Sequence, residues 1–247
     1  MTGALVDWFD RYRHFTRTTA TASLTTVPLL LLYGVGLLAA SDSARSAIDL
    51  VTAPLLASVP RPTYVGVQLA VGGVLIFLAA FRREAGFGAH VAWTVPALVE
   101  SAAWSLVTGR IVIAALDELH VVALPALQVG APGGPTWLDL TVMSAGAGLY
   151  EELVFRLLLI PALTALLARA IGLERWAALV GAVLVSSLVF SSAHHLAGEA
   201  FDAYVFAYRA VAGLFFAALF AWRGFAIAAW THAIYDLQIL ATLSSGR

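Results

Sequence analysis

Glu151, Glu152 and Arg156, two adjacent carboxylates and an arginine, lie inside a stretch otherwise apolar enough for lipid. Each ionisable side chain at the centre of a membrane helix costs about 2.5 to 3.5 kcal/mol, so the three cost about 8 to 10 kcal/mol before pairing offsets any of it. At helical spacing Glu152 and Arg156 stand at i and i+4, where a carboxylate N-terminal to a cation reaches it, while Glu151 points about 100° away. One carboxylate is therefore expected to be paired and the other left for chemistry. Two more polar groups recur downstream. Phe190-Ser-Ser-Ala-His194 closes one apolar run, and His232-Ala-Ile-Tyr-Asp236 lies within another, with His232 and Asp236 one turn apart on one face. A carboxylate or imidazole can take a proton from water, and further donors can hold the oxyanion formed when that water adds to a carbonyl.

Positioning such groups falls to membrane helices. The 247 residues are 61% hydrophobic and 12% charged, with mean hydropathy +0.88, outside the range of an ordinary soluble domain. The expected fold is an all-α, polytopic membrane helix bundle of about seven to eight transmembrane helices. Apolar runs near the ~20 residues needed to cross a bilayer occur at Leu24–Ala40, Tyr64–Phe81, Val91–Val107, Leu138–Ala168, Trp176–His195, Tyr204–Trp222 and Phe225–Leu243. The fourth is too long for one straight crossing and contains Pro161, which predicts a kink or break near Leu157 to Pro161. Ala44–Val59 and Ile111–Leu127 are apolar but interrupted, and each reads as an interfacial helix or a short eighth span. Gly133-Gly134-Pro135 marks a flexible, non-helical approach to the fourth span.

Arginines 11, 13 and 17, then 82 and 83, then 169 and 175, then 223 fall on one side of a seven-span chain, which predicts that side to be cytoplasmic, with the N-terminus in and the C-terminus out. Arg45, Arg61, Arg110 and Arg247 fall on the other, with Asp42, Asp49, Asp117, Glu118, Glu199 and Asp202. The arginines before the first span look like the start of a signal peptide, but no further soluble domain follows, so that run is expected to be retained. Residues 1–247 read as a single membrane domain, with 1–23 a cytoplasmic N-terminal segment. The near-neutral charge of −1 and the absence of any basic stripe argue against nucleic-acid partners. Zero cysteines remove disulfides, thiolate nucleophiles and cysteine-bound metal.

Glu-Glu-x-x-x-Arg, then Phe-x-x-x-His, then His-x-x-x-Asp, in that order on successive membrane helices, resembles the CPBP family of intramembrane endopeptidases, which includes the type II CAAX prenyl proteases and the Abi proteins. The resemblance covers 138–243. It implies that Glu151 activates the hydrolytic water together with His194, that Glu152 and Arg156 shape and hold that base, and that His232 with Asp236 stabilises the oxyanion. Prenyl-protease members usually carry asparagine where Asp236 stands, and an ionised aspartate cannot donate a hydrogen bond; Asp236 is then expected either to orient His232 or to stay protonated. The implied partners are a membrane-associated protein or peptide substrate and the lipid bilayer, in a bacterial or archaeal plasma membrane.

Blander readings stand beside this one. The charge cluster could be a buried ion pair locking two helices, His232 with Asp236 an interhelical hydrogen-bond pair, and His194, or more readily His195, an interfacial histidine hydrogen-bonded to a carbonyl. Glu100 and Arg209 are expected to be mutual or structural partners, and Trp93, Trp104, Trp137, Trp176, Trp222 and Trp230 to serve interfacial belts and helix packing. No cofactor is expected, although Glu151, His194 and His232 could ligate a divalent metal such as zinc. A proton-coupled carrier or channel, or a non-catalytic immunity or scaffold protein, would use the same buried groups without hydrolysis.

Overall fold

The computed structural model describes residues 2–41, 59–81, 86–121, 135–196 and 200–245. All regular structure among them is helical: α1 (Thr2–Thr16), α2 (Thr19–Ala39), α3 (Arg61–Ala80), α4 (Phe87–Ala92), α5 (Thr94–Glu118), α6 (Trp137–Gly146), a π-helical segment (Ala147–Leu159), α7 (Ile160–Arg169), α8 (Arg175–Leu196), α9 (Ala203–Arg223) and α10 (Phe225–Ser245). Five helical runs are long and apolar enough to cross a membrane: α2, α3, α4 with α5, α8 and α9. The chain is an integral membrane protein. The two remaining long runs, Trp137–Arg169, divided by its π-helical stretch, and α10, carry Glu151, Glu152, Arg156, His232 and Asp236.

Local chemistry sets the helix ends. The Thr18 hydroxyl accepts from the Thr21 amide to start α2. A capping box starts α6: the Thr136 hydroxyl accepts from the Asp139 amide, and the Asp139 carboxylate accepts from the Thr136 amide. Asp139 also accepts from the Ser41 amide at 2.7 Å, tying the start of α6 to the end of α2. Pro135 sits just before this cap, while Gly133 and Gly134 lie outside the described residues, as do Arg45, Asp42, Asp49, Arg82, Arg83, Glu199, Arg247 and nearly all of Ala44–Val59. Of Ile111–Leu127, the portion through Glu118 simply continues α5, and residues 122–127 are outside the described residues.

The kink expected near Pro161 takes the form of a change in hydrogen-bond register. Backbone angles stay helical through Leu159 (φ −70°, ψ −44°) and Ile160 (φ −60°, ψ −50°). The wide i→i+5 pattern ends at Leu159, and Pro161 falls in the first turn of α7, where its missing donor matters least.

Helix α10 is the hub, packed against α5, the π segment, α6, α9 and α2. Its buried face is built largely from small residues, Ala226, Ala228, Ala229 and Ala233, which let backbones approach closely. At Gly148 the π segment comes so near that an added Cβ would lie 2.4 Å from the Ala229 carbonyl oxygen and 2.6 Å from the Ala233 Cβ. By contrast α3 packs mainly on α2 and turns Val67, Val71, Val74, Phe77 and Leu78 outward. One end of the bundle gathers α1, the start of α5 and the end of α9; the opposite end gathers Ser41, Arg61 and Asp139.

Candidate active site

The six residues singled out by spacing converge between the π segment, α8 and α10. Glu151, Glu152 and Arg156 come from the π segment and are buried, as is His232 of α10. His194, in the last turn of α8, keeps 15% of its side-chain surface exposed, and Asp236 keeps 29%, so the cluster opens on their side.

Glu152 is the paired carboxylate. Its Oε1 lies 3.2 Å from Arg156 Nη1 and accepts from His232 Nδ1 at 2.8 Å. Arg156 in turn donates to the Gly213 carbonyl at 3.4 Å and stacks its guanidinium 4.4 Å from the centre of the Phe190 ring. This tethers the π segment to both α8 and α9. Glu151 is held differently. Its Oε1 is 4.0 Å from His194 Nε2 and its Oε2 is 3.7 Å from His232 Nε2. Both separations exceed a direct hydrogen bond, and across such gaps a shared water is the ordinary bridge. Adjacent residues on an α-helix diverge by about 100°; here the widened π turn lets Glu151 and Glu152 address the same imidazole from one side.

Each imidazole is oriented through its other nitrogen. His194 Nδ1 lies 3.1 Å from the Phe190 carbonyl, which can only accept, so Nδ1 carries a proton and Nε2 faces Glu151. His232 donates from Nδ1 to Glu152, leaving Nε2 facing Glu151 and, at 3.4 Å, Asp236 Oδ2. The His232 ring is stacked on Phe216 (4.4 Å between centres, 16° apart) with the Phe190 edge against it. The acid, the two imidazoles and the rings of Phe190 and Phe216 are thus gathered in one chamber-like cluster, a set of groups whose chemistry suits proton transfer.

Spacing located all six groups but not the parts that fix them. Phe216, the Gly213 carbonyl and the close approach at Gly148 carry no motif. Ser186 does the same quietly, donating at 2.6 Å to the Phe155 carbonyl beside Arg156. Two other expectations are resolved. Of the two readings for Glu100 the structural one holds, with Arg223 as its partner by contacts of 2.6 and 2.8 Å, and it also accepts from Tyr12 and from Trp104. The reason is topological: α5 begins where α9 ends, so the first turns of α5 meet the last arginine of α9. His195 turns away from Glu151 and packs on Phe201 and Phe206. Trp137, Trp176 and Trp222 are exposed, whereas Trp104 donates to the partly buried Glu100 and Trp230 to the carbonyl of the buried Thr25.

Among the described residues no three His, Asp or Glu side chains have the mutual arrangement of a metal site. The two nitrogens of His232 address different carboxylates rather than one point.

No curated protein and no solved structure matches the chain. A protein-family model does, over residues 133–238, described as type II CAAX prenyl endopeptidase Rce1-like. That stretch runs from just before α6 to just past Asp236 and holds every residue of the cluster. Residues 133–238, which hold the whole cluster, are therefore similar to the Rce1-like type II CAAX prenyl endopeptidases.

Proposed function

We propose that the protein is an intramembrane glutamic endopeptidase that hydrolyses a peptide bond in a membrane-associated protein or peptide. In this reading Glu151 and His194 share the attacking water, and Glu151 takes its proton as the oxygen adds to the scissile carbonyl carbon. Negative charge passes to the carbonyl oxygen, which accepts from Nε2–H of His232 in its doubly protonated form, the form in which Nδ1 also donates to Glu152. The C–N bond then breaks as the proton held by Glu151 moves to the leaving nitrogen, giving a carboxylic acid and an amine. Glu152 and Arg156 hold His232 and the π segment in register. Asp236, acceptor-only when ionised, acts as the residue that orients His232. The observation that carries the reading is the contrast between the two carboxylates: Glu152 is bound closely, while Glu151 stands 4.0 and 3.7 Å from two imidazoles on two other helices.

The chamber belongs to a chain of seven crossings, with Trp137–Arg169 and α10 as the two beyond the five most apolar, and with the arginine-rich end in the cytoplasm of a bacterial or archaeal cell. The reaction is written with no resident metal. Glu151→Gln, folded and reconstituted in vesicles, should lose cleavage of a cognate membrane substrate by about 10³-fold or more, the scale of a lost general base. Undiminished cleavage would remove the assignment. Enzyme stripped with a chelator and checked for metal content should keep its rate, and a rate restored only by zinc would replace the glutamic mechanism with a metal-dependent one.

A further inference from the structure

Helix α1 has three faces, and only two of them are accounted for by protein and water. At about 100° per residue, Trp8, Tyr12, Phe15 and Thr16 share one arc. Tyr12 and Thr16 are buried: Tyr12 donates to Glu100, and Thr16 accepts from Arg223 at 3.2 Å. Trp8 lies 5.5 Å from Trp93, and Phe15 stacks on Trp93 and meets His90 edge-on. The opposite arc carries Asp7, Asp10, Arg11 and His14, all exposed. Beside them Phe9, Arg13 and Val6 make a third arc, with Leu5 where it joins the packed one and Arg17 just past the helix end; Leu5, Val6 and Phe9 are exposed by 58%, 58% and 54%.

The contacts of Tyr12 and Thr16 fix where this apolar arc sits. They join α1 to the second turn of α5 and to the last residue of α9, both helices of spanning length, so α1 lies at the level where the spans end. Phe87 and Val91 of α4, each 42% exposed, extend apolar surface beside it. An apolar stripe at the rim of a bilayer, flanked by arginines whose long stems can reach up to phosphate, matches an in-plane amphipathic helix.

We infer that α1 lies flat in the headgroup layer of the leaflet at this end of the bundle, with Leu5, Val6 and Phe9 against acyl chains and Arg13 and Arg17 on anionic phospholipid headgroups. The N-terminal segment is then bound to lipid on that side rather than free in water, and through Tyr12, Glu100 and Arg223 it anchors the end of α9.

The chain contains no cysteine, so single spin labels can be placed in the full protein by Leu5→Cys, Phe9→Cys, Asp7→Cys and His14→Cys. The four variants are reconstituted into phosphatidylcholine vesicles and into vesicles that also contain phosphatidylglycerol. Labels at 5 and 9 should collide with oxygen in preference to a water-soluble nickel chelate, and labels at 7 and 14 should show the reverse. Phosphatidylglycerol should move the labels at 5 and 9 deeper, and Arg13→Gln with Arg17→Gln should cancel that movement. Equal nickel access at all four positions would overturn the in-plane helix. Identical depth in the two kinds of vesicle would overturn the arginine–headgroup contact.

Discussion

The protein buries acidic groups at two places in its helical bundle, and the two are built on opposite principles. At the α1 end, both oxygens of Glu100 are engaged: Arg223 clamps them at 2.6 and 2.8 Å, Trp104 donates to one at 3.1 Å, and Tyr12 donates to the other. A carboxylate so fully bound joins three helices and is a poor base, because its lone pairs are committed. Glu151 is more deeply buried, yet its contacts are 3.7 and 4.0 Å, to imidazoles that other residues have already oriented. The difference teaches how to tell a structural charge from a reactive one inside a membrane: by whether its acceptor positions are filled by fixed donors or stand open beside groups that can share a proton.

Glu152 combines both principles, and changing it should have the largest effect among the supporting residues. Glu152→Gln leaves Arg156 without its anion and His232 without a charged acceptor. A loss of about 3–5 kcal/mol is expected from breaking a buried pair, with cleavage down about 10³-fold, as when a carboxylate that orients an imidazole is neutralised. Denaturant titration and vesicle cleavage assays would read the two. An unchanged rate would mean that His232 does not depend on Glu152 for its orientation.

Gly148→Ala tests geometry without touching a charge. The added methyl would overlap the Ala229 carbonyl and push the π segment off α10. A misplacement on the ångström scale should cost about 10²-fold in rate, with about 1–3 kcal/mol of stability from overpacking. The assay is cleavage at saturating substrate, so that a fall in kcat is separated from weaker binding. Wild-type kcat in a folded variant would show that the close approach does not set the Glu151–His232 distance.

Glu100→Gln should have the smallest effect on chemistry. Unfolding should be eased by about 2–4 kcal/mol, the lower end reflecting the group's partial exposure, while the folded fraction cleaves within a few-fold of wild type. A rate loss as large as that of Glu152→Gln would erase the distinction between the two clusters.

The candidate site was partly legible in the sequence because charge in an apolar run is costly and hence conspicuous. Glu151, Glu152, Arg156, His232 and Asp236 stood out on that ground, His194 was set apart from His195 only by its match to the family motif, and helical periodicity paired Glu152 with Arg156 correctly. Long-range geometry was not legible. Whether Glu100 meets Arg209 or Arg223 depends on which end of α9 lies beside α5, and no local pattern encodes that. The π register of Ala147–Leu159 follows from packing on α10 through Gly148, where a glycine in an apolar helix gives no warning of a backbone neighbour. Phe216 reads as one apolar residue among many until its ring is found lying flat on His232.

The most direct test sets the two acids side by side. Glu151→Gln and Glu100→Gln, reconstituted in the same vesicles at matched folded protein, are followed through a single turnover of one membrane substrate. The account predicts no product from the first on the timescale in which wild type finishes, and near wild-type product from the second. Comparable cleavage by both, or loss only with Glu100→Gln, would contradict it.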